Sequence, residues 1–182
     1  MGENHMSQET IQRAIQKAKE QVMWGCRTMV DKGYALGTAG NISARVEGEP
    51  LFVITPSARP YLTMKPEDLA VGDMDGNVVS GPYKPSIEFS MHLGIYKERP
   101  EVNCIVHTHS KFATAVSAMD GVEKVPVIDI EGVVYLGGEI LVAPFAPPGS
   151  GELAAHVRNT IGTNCSWPAM APSAQVLPWK MP

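Results

Sequence analysis

His107 and His109 are separated by one residue, in Val106-His107-Thr108-His109-Ser110. In an extended segment residues i and i+2 point to the same side, so the two imidazoles converge. Neutral imidazole is a common zinc ligand, and a catalytic zinc site uses three protein ligands with a fourth position open. Taken alone, the pair also suits two polar histidines at a strand-to-loop corner. Glu88, in Pro85-Ser86-Ile87-Glu88-Phe89, is a carboxylate that can take and return a proton beside such a metal. It equally suits the first turn of a helix, where negative charge is favoured. His92 lies one turn after Glu88 on the same helical face, where packing or hydrogen bonding is expected rather than ligation. Three turns offer groups to an anion. Gly40-Asn41 has backbone that a ligand can approach, plus an amide. Thr55 and Ser57 supply hydroxyls at a strand end, and Ser86 sits at a helix start, where free N–H groups favour phosphate. Each turn alone is also no more than a turn.

These residues need elements to hold them. Ile11, Ile15, Ala18, Val22, Cys26, Met29 and Val30 recur at three or four residues, and Gly33 supplies a stop. That predicts one amphipathic helix. Residues 51–55 read as a buried strand ended by Pro56. Residues 69–73 and 78–79 flank Asp75-Gly76, a hairpin signal. Ser86 is a plausible N-cap for a second helix carrying Phe89, His92, Leu93 and Tyr96, with Pro100 beyond its end. Residues 102–106 read as a buried strand and 110–119 as a third helix. Residues 125–130, 133–134 and 140–143 read as strands, 147–150 as a turn and 152–161 as a fourth helix. The order is mixed rather than a strict β-α-β alternation, which favours a mixed or antiparallel sheet with helices on its faces.

The chain has 182 residues, one domain at roughly 150 residues each. Its 44% hydrophobic and 19% charged residues exclude a disordered chain, a coiled coil and a collagen-like repeat. Apolar runs such as 51–54 and 140–143 fall far short of the ~18 residues of a membrane span. The net charge of −4, without a block of like charge, argues against a nucleic-acid partner. Cys26, Cys104 and Cys165 are widely spaced and suit free thiols, and the N-terminus lacks a signal pattern. A cytoplasmic protein is expected. Residues 1–6 (MGENHM) are polar and are expected to add nothing to the fold.

Six blocks in order carry a resemblance: GTAGNIS (37–43), ITPS (54–57), the stretch 68–76, KPSIEF (84–89), RPEVNCIVHTH (99–109) and PPGSGELA (147–154). Together they resemble the class II aldolase and adducin head-domain family, whose best-known enzymes are L-fuculose-1-phosphate aldolase and L-ribulose-5-phosphate 4-epimerase. The expected domain is residues 7–163. The resemblance implies a three-layer α/β/α fold around a mostly antiparallel sheet, and a homotetramer with active sites between neighbouring subunits. It implies Zn2+ or another divalent metal, held by His107, His109 and a third His nearer the C-terminus. Glu88 matches the catalytic acid/base, which can also ligate the metal. Asn41, Thr55, Ser57 and Ser86, with backbone near Gly40, match a cradle for the phosphate of a small phosphorylated sugar. The metal would stabilise the negative charge that develops as the carbon–carbon bond breaks. Glu88 would shuttle a proton at the nascent carbon.

Several positions depart from that pattern. Ala58 stands where the family often has Gly, and Ile87 replaces a second hydroxyl. The aldolase's catalytic Tyr has no clear counterpart; Ile130 falls near it and Tyr135 is the nearest phenol. Residues 164–182 are expected to be an aberrant tail, with four prolines and no His. Trp and Met have single codons, so the tail can be read in the frame that joins each codon's last base to the next two. Trp167-Pro168 then forces Ala, Met170-Ala171 forces Gly, and Ala169-Met170 permits His. One permitted reading is an apolar strand, then His-Gly, then a helix start, as the resemblance requires. A frameshift near Cys165 is therefore expected, with the third His encoded under Ala169; the gene sequence tests it. A tail of this kind would weaken the metal site and uncover a sheet edge.

Three functions follow. The first is metal-dependent cleavage of a phosphorylated ketose such as L-fuculose 1-phosphate to dihydroxyacetone phosphate and an aldehyde. The second is epimerisation or dehydration of a sugar phosphate at the same site. The third is a non-catalytic association domain, as in adducin.

Overall fold

Ser7 opens the first helix, α1 (Gln8–Asp31), by accepting the Thr10 N–H on its side-chain oxygen. Gly33, at φ +73°, ends it. Ala18, Val22, Cys26 and Met29 of the expected stripe are buried, with Met23 beside them. The computed structural model describes residues 7–136, 138–162, 169–171 and 174–178. After α1 come β1 (Asn41–Arg45), β2 (Leu51–Ile54), β3 (Ala70–Asp73), β4 (Val78–Ser80) and α2 (Phe89–Glu98). Then follow β5 (Cys104–Thr108), α3 (Lys111–Ser117), β6 (Lys124–Val125), α4 (Ile130–Leu136), β7 (Ile140–Val142), α5 (Gly151–Gly162), β8 (Ala169–Ala171) and β9 (Ala174–Pro178).

Among the described residues the strands form one sheet in the order β4-β3-β2-β1-β5-β9-β8-β7-β6. Every pairing is antiparallel except β7 with β8. Alternate strand residues point to opposite faces. Ile42, Ala44, Val53, Val71 and Cys104 pack under α1, while Phe52, Ile54 and Ile105 pack under α2 and α5 through Met91, Ile95, Leu153 and Val157. This is the expected α/β/α layering around a mostly antiparallel sheet. No helix among the described residues is long and apolar enough to cross a membrane.

Local departures have local causes. The helix expected from Ser86 begins at Phe89, because the Ser86 side chain accepts the Glu88 N–H in a turn instead of capping a helix. The strand expected at 102–106 starts at Cys104, since the Val102 N–H is taken by the Arg99 carbonyl in the turn that leaves α2. The strand expected at 125–130 shrinks to β6 at Lys124–Val125 followed by irregular backbone at 126–129, and the strand expected at 133–134 lies within α4. Pro126 has no N–H for the ladder, and Asp129 accepts the Gly132 N–H at 2.6 Å in the manner of an N-cap. The tail does not leave β5 open. β9 pairs with β5 and β8 with β7, so residues 169–171 and 174–178 stand within the sheet. That satisfies polar groups that an open edge would expose.

Candidate active site

The pairing of β1 with β5 builds the floor of the site. Asn41 lies directly opposite His107, and Ser43 opposite Ile105. Asn41, Ser43 and His107 share the sheet face that α2 covers. Gly40 makes the approach possible. It sits at φ +82°, and a Cβ there would meet the His107 carbonyl oxygen at 2.5 Å. The Tyr61 hydroxyl holds the Gly40 carbonyl from the other side.

His107 and His109 converge as the spacing predicts. Their Nε2 atoms are 3.0 Å apart. His107 is buried, and burial, followed by His109 and His92, pushes its imidazole well below the usual pKa. Burial lowers His109 too. Both rings are therefore neutral at pH 7, with lone pairs available. Two ligands about 2.0–2.1 Å from a zinc ion in a tetrahedron stand about 3.3 Å apart, close to the spacing seen here. The pair fits two positions of a divalent metal site. Glu88 is placed differently from the expected ligand set. Its Oε2 is 3.0 Å from the other ring nitrogen, His107 Nδ1. That approach is not aligned for a hydrogen bond, and His107 Nδ1 is buried without one. Among the described residues no three of His, Cys, Asp and Glu gather around one point. His156 is on α5, where its Nδ1 bonds the Pro144 carbonyl. Residues 164–168, 172–173 and 179–182 of the expected tail lie outside the described residues, as do residue 163 and the Tyr135 side chain.

Glu88 stands at the N-cap position of α2, but its carboxylate makes no capping bond and instead turns to the sheet, accepting from Asn41 Nδ2 at 2.9 Å. Burial raises its pKa, partly offset by the Asn41 bond. His92, fully buried, bonds Asn41 Oδ1 through Nε2 at 2.5 Å and Ser43 Oγ through Nδ1 at 2.6 Å. It is the hydrogen-bonding residue expected. The Tyr96 hydroxyl reaches the same Ser43 Oγ at 2.7 Å. Ser43 and Tyr96 are not among the expected site residues. Their signal is the alternation Asn41, Ser43 on a strand and the four-residue recurrence Glu88, His92, Tyr96 on a helix.

Burial of His92 has a pH consequence. Its pKa is pushed down to about 3, against roughly 6.5 in the unfolded chain. Between those values the unfolded state binds more protons, so stability falls as pH falls. His92 alone is expected to remove about 2 kcal/mol between pH 8 and pH 5. His107 acts in the same direction, and Glu88, raised by burial, acts oppositely over its own window. Urea midpoints at the two pH values check this; no loss at the lower one would show that His92 is already charged in the fold.

Gly40, Asn41, Ser57, Ser86, Glu88 and His109 line one cleft of about 260 Å³. Thr55 does not. It is fully buried, and its hydroxyl accepts the Ile42 N–H at 3.2 Å, tying β2 to β1 behind the cleft. Asn41 also differs from the expected cradle, since both ends of its amide are engaged with Glu88 and His92. A larger hollow of about 540 Å³ between α1 and the turn after β1 has no imidazole, and its Lys17 pairs with Glu47. In the cleft wall Ala58 has φ +54°, the left-handed region. An L-residue with a Cβ loses roughly 1–2 kcal/mol there, and glycine recovers part of it. Ala58→Gly is expected to stabilise the fold by about 0.5–1 kcal/mol, after the extra chain entropy of glycine is subtracted. Thermal unfolding measures it; a lower midpoint would show that the Ala58 methyl is packed rather than strained.

The sequence model for the class II aldolase and adducin N-terminal domain matches residues 20–171. The chain belongs to the class II aldolase and adducin family. An L-fuculose phosphate aldolase of Methanococcus maripaludis is 38% identical over 136 residues, covering 75% of this chain and 72% of that protein. A 5-deoxy-D-ribulose 1-phosphate aldolase of Bacillus thuringiensis is 34% identical over 140 residues, covering 77% of this chain and 64% of that protein. The chain thus spans less than two thirds of that second relative. A solved L-fuculose 1-phosphate aldolase superposes with a TM-score of 0.80 at 26% identity, covering 97% of this chain and 77% of its own. Other class II relatives are named 3-oxo-tetronate 4-phosphate decarboxylase and L-ribulose-5-phosphate 4-epimerase. The aldolase family is generally dependent on a divalent metal, which agrees in kind with the facing imidazoles.

Proposed function

We propose that this class II aldolase family member cleaves a phosphorylated ketose such as L-fuculose 1-phosphate, reversibly, to dihydroxyacetone phosphate and an aldehyde. The observation that carries the reading is a facing neutral imidazole pair, a buried carboxylate and a hydroxyl-lined cleft brought together beside the Asn41–His107 pairing of β1 and β5. His107 and His109 would hold Zn2+ or another divalent ion, which when bound supplies Lewis-acid polarisation of the ketose carbonyl oxygen. Ser57 and Ser86, with backbone near Gly40, bind the phosphate; Thr55 supports the cleft from behind, and Asn41, on its wall, is held by Glu88 and His92. Phosphate binding orients the reacting end of the sugar. Glu88 holds the proton delivered to the carbon released from the broken bond and takes it back in condensation. Its raised pKa suits that exchange. In the proposed homotetramer, subunit contact would cover apolar side chains such as the exposed Phe112, Ile128, Val134 and Phe145. Buried, unpaired Cys26 and Cys104 support a cytoplasmic setting.

The second reading is epimerisation or dehydration of a sugar phosphate at the same site; a relative named L-ribulose-5-phosphate 4-epimerase favours the epimerase, and one named 3-oxo-tetronate 4-phosphate decarboxylase adds decarboxylation beside it. The third, adducin-like association without catalysis, is favoured by the missing third His. With residues 164–182 read as an aberrant tail, metal affinity and turnover are expected to be low, and sequencing the gene around Cys165 tests the frameshift. The deciding measurement is metal content per chain after dialysis, with and without added zinc, followed by assay of dihydroxyacetone phosphate release. About one metal per chain, lost in His107→Ala, with release of the triose phosphate, supports the aldolase. Epimer or carbon dioxide in place of triose phosphate supports the second reading. No metal and no turnover supports the third.

A further inference from the structure

The bonds around Glu88 have a direction, and it follows from chemistry at one end. A carboxylate only accepts hydrogen bonds, so the Asn41 atom that faces Glu88 Oε2 at 2.9 Å is the amide nitrogen. The Asn41 oxygen is then the atom 2.5 Å from His92 Nε2, and it too only accepts. His92 must therefore carry its proton on Nε2 and present a bare Nδ1. The group 2.6 Å from that Nδ1 is the Ser43 hydroxyl, which must donate. Ser43 Oγ, its proton so used, accepts from the Tyr96 hydroxyl at 2.7 Å. All five residues are buried, with exposures of 6% or less, so no bond in the chain is replaced by bulk water.

We infer that Tyr96, Ser43, His92 and Asn41 form a one-way relay that presents the Asn41 N–H to Glu88, with His92 as a positioning residue that fixes the amide. The inference deepens the proposed function, because it rests on Glu88 as the proton carrier. The backbone supplies the geometry without adjustment: Glu88, His92 and Tyr96 make one four-residue stripe at the start of and along α2, and Asn41 and Ser43 share a face of β1. His92 is held neutral by burial, as the relay requires. Reversing the chain demands a flip of the Asn41 amide, which would point its oxygen at the carboxylate.

The test has two arms. Histidine labelled with 15N reports which ring nitrogen carries the proton, and the signals of His92 are those lost in His92→Gln. A protonated Nε2 with a bare Nδ1 at pH 7 is expected; a proton on Nδ1 overturns the relay. The second arm compares His92→Met, which fills the space without polar atoms, with His92→Gln, whose amide offers one donor and one acceptor. His92→Met is expected to lose about 10–100-fold in kcat, the range for residues that orient a ligand or catalytic group. KM should stay nearly unchanged, and His92→Gln should recover most of the loss. Equal kcat in the two variants overturns the positioning role. If the chain has no turnover, the aldolase reading fails, and the nitrogen signals still decide the relay.

Discussion

Glu88→Gln is expected to lower kcat by about 10²–10⁴-fold, the contribution typical of a positioned acid/base, with KM for the sugar phosphate little changed. Gln keeps the size of Glu and an oxygen that can accept from Asn41 Nδ2, so the packing at this 5%-exposed position has no reason to alter. What it cannot do is carry a proton to and from carbon. An interaction made only in the transition state falls out of kcat and kcat/KM together. Metal content should be measured on the same samples, because Glu88 touches His107 on the ring nitrogen away from His109. Unchanged metal with collapsed kcat locates the role in proton transfer. Unchanged kcat would remove Glu88 from the chemistry.

Gly40→Ala should be the most damaging substitution for the fold of the site. Two costs add. The residue is at φ +82°, where an L-residue loses roughly 1–2 kcal/mol. The new methyl carbon would also lie 2.5 Å from the His107 carbonyl oxygen, and that oxygen belongs to backbone within β5. Relief requires prying β1 from β5 at the Asn41–His107 pair. A total of about 3–5 kcal/mol is expected, a large part of a domain's usual 5–15 kcal/mol. Denaturant unfolding measures it. The same displacement should weaken metal retention at His107. A loss below about 1 kcal/mol would mean that the two strands slide apart at little cost.

Much of this site is legible in the order and spacing of its residues. His-x-His on a strand end must converge, and Glu88 must lie near it if 84–109 folds as one helix and strand. The relay is not legible in that way, because Ser43 and Tyr96 are ordinary in isolation. Only the register that places β1 under α2 joins them to His92. Thr55 reads as a ligand group because its hydroxyl follows a strand; the direction of that hydroxyl depends on the β1–β2 pairing, which leaves it inside. Asp129 shows the opposite case. Its capping signal is present in the sequence, but the apolar run from 125 to 134 masks it.

The polar bonds of the relay share one property. Asn41 and Ser43 come from before the exposed turn at Asp75-Gly76; Glu88, His92, Tyr96 and His107 come from after it. That turn joins β3 to β4, at the margin of the sheet. Opened there, the chain becomes two fragments, neither of which holds a complete site, and surface turns of this kind tolerate such cuts best. Recovery of the His92 signal on mixing the fragments would therefore count reassembled molecules directly.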